Sequence, residues 1–195
     1  MTTLGYDVVV GIDPSLTGTG IASLRRGGHV LSQHYGRAGA LTETLRQRSE
    51  RRRWLVAAFA DWIPPRSNVL VVIEDPAYGA KGGATWDRAG LWGALVDKAF
   101  GKDCDVVAVG NKTHPKWVTG KGSADKAACA AAIADRYGVD ADCDNCSDAA
   151  ALVLLGAHAL GWIEAPEYAR DVLTTVHWPP EIAASVLEPY ERLSS

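Results

Sequence analysis

The chain has 195 residues and a mass of 20.7 kDa, enough for one domain with a sizeable buried core. Apolar residues make up 47% and charged residues 22%, which excludes a disordered chain, a collagen-like chain and a small disulfide scaffold. The formal charge of −3 does not mark a nucleic-acid binder, no apolar run is long enough to span a bilayer, and the opening MTTLGYDVVVGID lacks signal-peptide features, so an intracellular protein without membrane attachment is expected.

Asp7–Asp13 is a short apolar run and predicts a buried strand. Pro14-Ser15 and Gly18 mark a turn, and Thr19–Leu24 resumes strand character. Gly27-Gly28 signals a hairpin into a third strand, His29–Tyr35. Leu41, Leu45, Leu55, Phe59 and Trp62 recur at helical intervals, predicting a helix from Leu41 to Ile63 that Pro64-Pro65 ends. Val69–Ile73 reads as a buried strand running into Glu74. A glycine-rich stretch, Gly79 to Gly83, precedes a helix expected from Trp86 to Phe100, and Asp105–Val109 is a further strand. Helices are expected over Thr113–Val118, Ala124–Tyr137 and Ser147–Trp162, the first two split by Thr119-Gly-Lys-Gly-Ser123. The rest, with Pro166 and Pro179-Pro180, reads as irregular or weakly helical. This order predicts an α/β fold: a mixed five-stranded sheet, made of a three-stranded antiparallel meander plus parallel strands, with helices on both faces. Residues 1–162 form the domain on this reading, and 163–195 an acidic C-terminal tail.

Charge is unevenly spread. Arg46, Arg48, Arg51, Arg52 and Arg53 crowd one segment, read as a solvated helix face or a DNA contact. The tail carries Glu164, Glu167, Asp171, Glu181, Glu188 and Glu191 against Arg170 and Arg192. The four cysteines are expected to be reduced thiols. Cys143-Asp-Asn-Cys146 has the spacing of zinc and redox motifs, but a zinc knuckle needs a second such pair, which the sequence lacks.

Three acids stand out by position. Asp13 closes the first strand, Glu74 closes the fourth, and Asp148 opens the last long helix, with Asp144 and Asn145 just before it. Neighbouring first and fourth strands would bring Asp13 and Glu74 side by side, and a helix start packed there would add Asp148. Three converging carboxylates repel one another unless a cation joins them, and hard oxygen ligands suit Mg²⁺ or Mn²⁺. Two such ions activate water for phosphodiester hydrolysis. Each acid alone reads equally as a solvated strand end, and Asp148 as a helix-start residue with Asn145 as cap. The Thr119–Lys126 segment offers glycines for close phosphate approach and Ser123 as a helix cap. Lys112, Lys116, Lys121 and Lys126 point the same segment toward a nucleic-acid backbone. Trp86, Trp92 and Trp117 read as core or interface residues.

Gly11-Ile-Asp13-Pro-Ser-Leu-Thr-Gly18-Thr-Gly20 resembles the opening of RuvC-type Holliday junction resolvases. Val72-Ile73-Glu74 is similar to their second acidic motif, Thr119–Lys126 to their glycine-rich loop and lysine, and Asp148-Ala-Ala-Ala-Leu152 to their final Asp-Ala helix. These motifs appear in family order across about residues 7–160. The resemblance implies a ribonuclease H-like fold, a homodimer, two Mg²⁺ or Mn²⁺ ions per site, and resolution of four-way DNA junctions by paired nicks. It also implies a bacterial or phage-encoded protein working in the bacterial cytoplasm. By position it makes Asp13, Glu74 and Asp148 metal-binding catalytic acids and places Lys126 near the scissile phosphate. Where the family has a further Asp, this chain has Asn145, so Asp144 or Asn145 is left to complete the site. A second family lysine falls in register on Pro115, and Lys116 is the nearest candidate. Tyr78 is a candidate for contact with junction bases, beside Lys116, Lys121, Ser123 and Lys126 as DNA-binding residues.

Two other readings fit the same residues: a same-fold nuclease for flaps, forks or other branched DNA, and a non-catalytic junction-binding protein. Asp13 with Thr17-Gly-Thr-Gly20 also resembles the phosphate loop of actin- and sugar-kinase-like ATPases, although those need two related domains.

Overall fold

A computed structural model describes residues 4–39, 42–76 and 84–191, the side chains of 188–191 excepted. The strands are β1 (Val8–Asp13), β2 (Thr19–Arg25), β3 (Val30–Tyr35), β4 (Val69–Glu74) and β5 (Asp105–Val109). The helices are α1 (Leu45–Ala60), α2 (Thr85–Phe100), α3 (Thr113–Thr119), α4 (Lys126–Tyr137), α5 (Asp144–Ala159), α6 (Glu167–Leu173) and α7 (Pro180–Glu191). The sheet order is β3-β2-β1-β4-β5. β1, β2 and β3 form the antiparallel meander, and β4 and β5 add to β1 in parallel. This is the expected mixed α/β sheet.

The central strands are apolar along their length because both faces are covered. Val8, Val10 and Ile12 of β1 and Val69, Val71 and Ile73 of β4 pack with Leu55 and Phe59 of α1 and Leu91 and Leu95 of α2. The alternate residues Val9, Leu70 and Val72 pack with α5, α4 and α3 on the other side. α1 starts where a capping box dictates: Thr44 accepts from the Gln47 amide while the Gln47 side chain accepts from the Thr44 amide. That start lies four residues inside the expected boundary at Leu41, itself outside the described residues.

α5 is the central helix, with thirteen of its sixteen residues buried. It lies so close to β1 and β2 that a Cβ at Gly11 would collide with the Ala149 carbonyl oxygen, and one at Gly20 with that of Asn145. These glycines of the Asp13 motif therefore seat a helix rather than hold a phosphate.

The segment beyond 162 differs from the irregular or weakly helical expectation. α6 and α7 pack on the α5 side of the core through Ala169, Val172, Leu173, Trp178, Ile182 and Val186. The reason is in the prolines. Pro166 stands at the N-cap of α6 and Pro180 opens α7, where a missing N–H costs nothing. Trp178 then donates its indole N–H to the Leu173 carbonyl, fixing the link between them.

Candidate active site

Parallel strands deliver their carboxyl ends to one edge of the sheet, where ligand sites form in such folds. Ile12 of β1 pairs with Ile73 of β4, so Asp13 and Glu74 occupy the next rung as neighbours. α5, seated on Gly11 and Gly20, brings Asp148 to the same point from one turn inside its start. α3 begins just after β5 and contributes His114. α4 contributes Lys126. Asp13, Glu74, His114, Lys126 and Asp148 line one cleft of about 230 Å³. A second cleft of about 220 Å³ opens on the other side of Asp13 and Glu74, lined also by Arg88 and Trp92 of α2. Trp92 donates its indole N–H to the Glu74 carbonyl at 3.1 Å, tying α2 to the end of β4.

The electrostatics are unbalanced. Burial, and then the charge of Asp148, lifts the Asp13 carboxyl to about 6. Burial, and then the charge of Asp13, lifts Glu74 to about 7. Burial also works to raise Asp148, but hydrogen bonds from His114 and Lys126 outweigh it and hold that carboxyl below the ordinary value. Lys126 Nζ donates to Asp148 Oδ2 at 2.6 Å, while His114 Nε2 stands 3.5 Å from Oδ1. Burial works against the Lys126 charge, yet the bond to Asp148 raises its pKa. Asp148 is thus ionised and paired, while Asp13 and Glu74 are half-buried acids short of positive charge.

That shortage and the oxygen-rich donor set fit a divalent cation. A further sign is His114 Nδ1, buried, without a hydrogen-bond partner, and 3.9 Å from Glu74 Oε2. As they stand, no three His, Cys, Asp or Glu side chains among the described residues are grouped to hold an ion. Asp148 Oδ2 is instead taken up by the Lys126 ammonium.

Several sequence expectations are corrected locally. Asn145 does not cap α5: Cys143 does, its sulfur accepting from the Cys146 amide. Asn145 sits half-buried over β2, and Asp144 is exposed on the first turn; neither lines the Lys126 cleft. Ser123 does not cap α4 either, since Asp125 accepts from the Ala128 amide at 2.8 Å. Ser123, Lys116 and Lys121 are exposed and do not line the cleft, though their chain neighbours Pro115, Gly122 and Ala124 do. Tyr78 lies outside the described residues. His114 escaped the sequence reading because a single histidine carries no spacing signal. Its place directly after the last parallel strand was the available clue.

Arginines of the basic segment are partly committed elsewhere. Arg48 and Arg52 of α1 pair with the buried Asp87 of α2, and Arg51 pairs with Glu43 at 3.0 Å. Arg46 and Arg53 remain exposed.

The sheet order and the helices on both faces are those of the ribonuclease H-like class of fold. Within that class the fold is that of RuvC. The chain is similar to Thermus thermophilus RuvC, with a TM-score of 0.63 and 20% identity over 82% of this chain and 99% of that one. It is similar also to T. thermophilus RuvC in complex with a Holliday junction substrate, with a TM-score of 0.61 and 19% identity over 80% and 94% of the two chains. No family model and no curated protein matches the sequence.

Proposed function

We propose that the protein is a divalent-metal-dependent endodeoxyribonuclease that resolves four-way DNA junctions by paired nicks. The observation that carries this reading is the convergence of Asp13, Glu74 and Asp148 at one sheet edge with too little positive charge to balance them. The junction as substrate is favoured by the fold shared with a RuvC that binds one.

Bound at Asp13, Glu74 and Asp148, two Mg²⁺ or Mn²⁺ ions would supply water activation and charge for the leaving oxygen. The chain's own residues then act as follows. His114 holds the Asp148 carboxylate through Nε2. Lys126, with a half-exposed side chain, turns from Asp148 to a phosphate oxygen, freeing one carboxylate oxygen and neutralising charge in the transition state. Lys116, Lys121 and Ser123 contact the DNA backbone beside the cleft, and Arg88 does so across the acids. Tyr78 stays a candidate for base contact.

Two symmetric nicks call for two identical sites, so the protein acts as a homodimer. α2 suits the interface. Gly93 has open space around it, and Trp86 and Phe100 expose their rings at either end of the helix. Sedimentation at micromolar concentration tests this: a dimer is expected, and Gly93→Arg should break it and leave single nicks.

The deciding experiment incubates the protein with a labelled four-way junction, a flap, a fork and a linear duplex, with Mg²⁺ or with EDTA. Paired nicks in the junction that need the cation are expected. Preference for the flap or fork would reassign the substrate, and metal-dependent binding without nicks would leave a junction-binding protein. The actin- or kinase-like alternative is disfavoured by geometry, since α5 fills the space over Gly20 and Thr19 donates back to the Ser15 carbonyl at 2.6 Å.

A further inference from the structure

The start of α5 holds two sulfurs that the nuclease reading does not use. Cys143 has an extended backbone at the N-cap, and Cys146 lies in the first turn. Residues three apart at such a position face each other with Cβ atoms about 5–6 Å apart or closer, near the reach of a disulfide. Here Cys143 Sγ lies 2.7 Å from Cys146 Sγ, and both are free thiols. Capping does not account for the choice of residue, because a thiol is a weak acceptor where Ser, Asp or Asn would serve better. Access is graded as well. Cys143 is half-buried and reachable, whereas Cys146 is 2% exposed. The remaining cysteines, Cys104 and Cys129, are buried in separate parts of the core.

We infer that Cys143 and Cys146 form a redox-active dithiol that exchanges with small-molecule disulfides and closes within the folded chain. In the first step the Cys143 sulfur attacks a small disulfide, forming a mixed disulfide and releasing one small thiol. The Cys146 sulfur then attacks the Cys143 sulfur, forming the internal bond and releasing the second small thiol. The two protein thiols are oxidised, the small disulfide is reduced to two thiols, and the two protons leave with them. Reduction runs the same steps backwards.

The test equilibrates the full-length protein in buffers of reduced and oxidised glutathione, without DNA or metal ions. Acid quenching, alkylation and peptide mass mapping follow. Because no cleavage is read, failure here and failure of the nuclease reading are separate events. The peptide spanning Cys143 and Cys146 should lose two hydrogens. Its equilibrium constant should be at least about tenfold higher in the native chain than in the same chain in denaturant, while Cys104 and Cys129 stay alkylated. Cys146→Ser should accumulate glutathione on Cys143, and Cys143→Ser, which keeps a good cap, should accumulate none. A pair that oxidises no more readily folded than unfolded overturns the inference. So does a Cys143→Ser variant that carries the adduct on Cys146.

Discussion

Two acidic centres withdrawn from solvent in this molecule are built in opposite ways. Asp87, on α2, is 6% exposed and meets two guanidinium groups, Arg48 and Arg52, which join α1 to α2. Asp13, Glu74 and Asp148 meet one lysine and one histidine, and two of the three are pushed well above ordinary carboxylate values. The first group has its counter-charges within the chain and holds two helices together. The second is left short, which is the arrangement expected where a cation and a phosphodiester complete the balance. Burial alone therefore does not distinguish these two centres; the local sum of charge does.

The strongest way to break the contrast is to neutralise each group in turn. Asp13→Asn, Glu74→Gln and Asp148→Asn should each lower junction nicking about a thousandfold, equivalent to about 4 kcal/mol of transition-state stabilisation. Urea unfolding without metal should show Asp13→Asn and Glu74→Gln no less stable than the parent. Near-parental nicking by any of the three would remove that acid from the site. Asp87→Ala should do the reverse. A loss of about 2–3 kcal/mol in stability is expected, moderated because Arg48 and Arg52 are partly solvated, with nicking per folded molecule unchanged.

The comparison can be sharpened by pH. Asp13 and Glu74 bind protons more tightly folded than unfolded, so metal-free stability should fall as pH rises from about 4 through their folded values of about 6 and about 7. Asp148, shifted the other way, contributes stability that is lost only in acid, below its ordinary range. The fall should amount to about 4 kcal/mol between pH 5 and 8 by urea titration, and saturating Mg²⁺ should flatten it. A profile with the same slope with and without Mg²⁺ would mean that no cation neutralises these acids. The smallest effect tests the α1 side alone. Thr44→Ala removes the capping box and should cost about 1 kcal/mol without altering nicking.

Much of this was legible in the sequence where burial on two faces writes a long apolar run. Val8–Ile12 and Val69–Ile73 read as central strands for that reason, and the acids ending them were conspicuous. The convergence of Asp13, Glu74 and Asp148 was expected on condition that the first and fourth strands are neighbours, which the sheet order bears out. Helix starts were harder, because several side chains near each start can accept from the backbone. Asn145 and Ser123 were plausible caps, and Cys143 and Asp125 took the positions. The last two helices were hardest. Their stability comes from burying Val172, Ile182 and Val186 on a core assembled elsewhere, and their prolines read as breaks until the chain direction at each was known. His114 belongs with these, since only the placement of β5 beside β4 turns an isolated histidine into a neighbour of Glu74 and Asp148.

The seating of α5 bears on how the cleft comes apart. A helix buried over thirteen of its sixteen residues, pressed against β1 and β2, has little opportunity to open by itself. Backbone amides from Ala149 onward should exchange with deuterium only through global unfolding, among the slowest in the chain, whereas those of the exposed α4 start should exchange by local fraying. Asp148 is anchored to that slow-exchanging body and Lys126 to the fast one. Heat should therefore loosen the lysine side of the cleft while the acids stay together, and the acids should part only when the sheet itself comes undone.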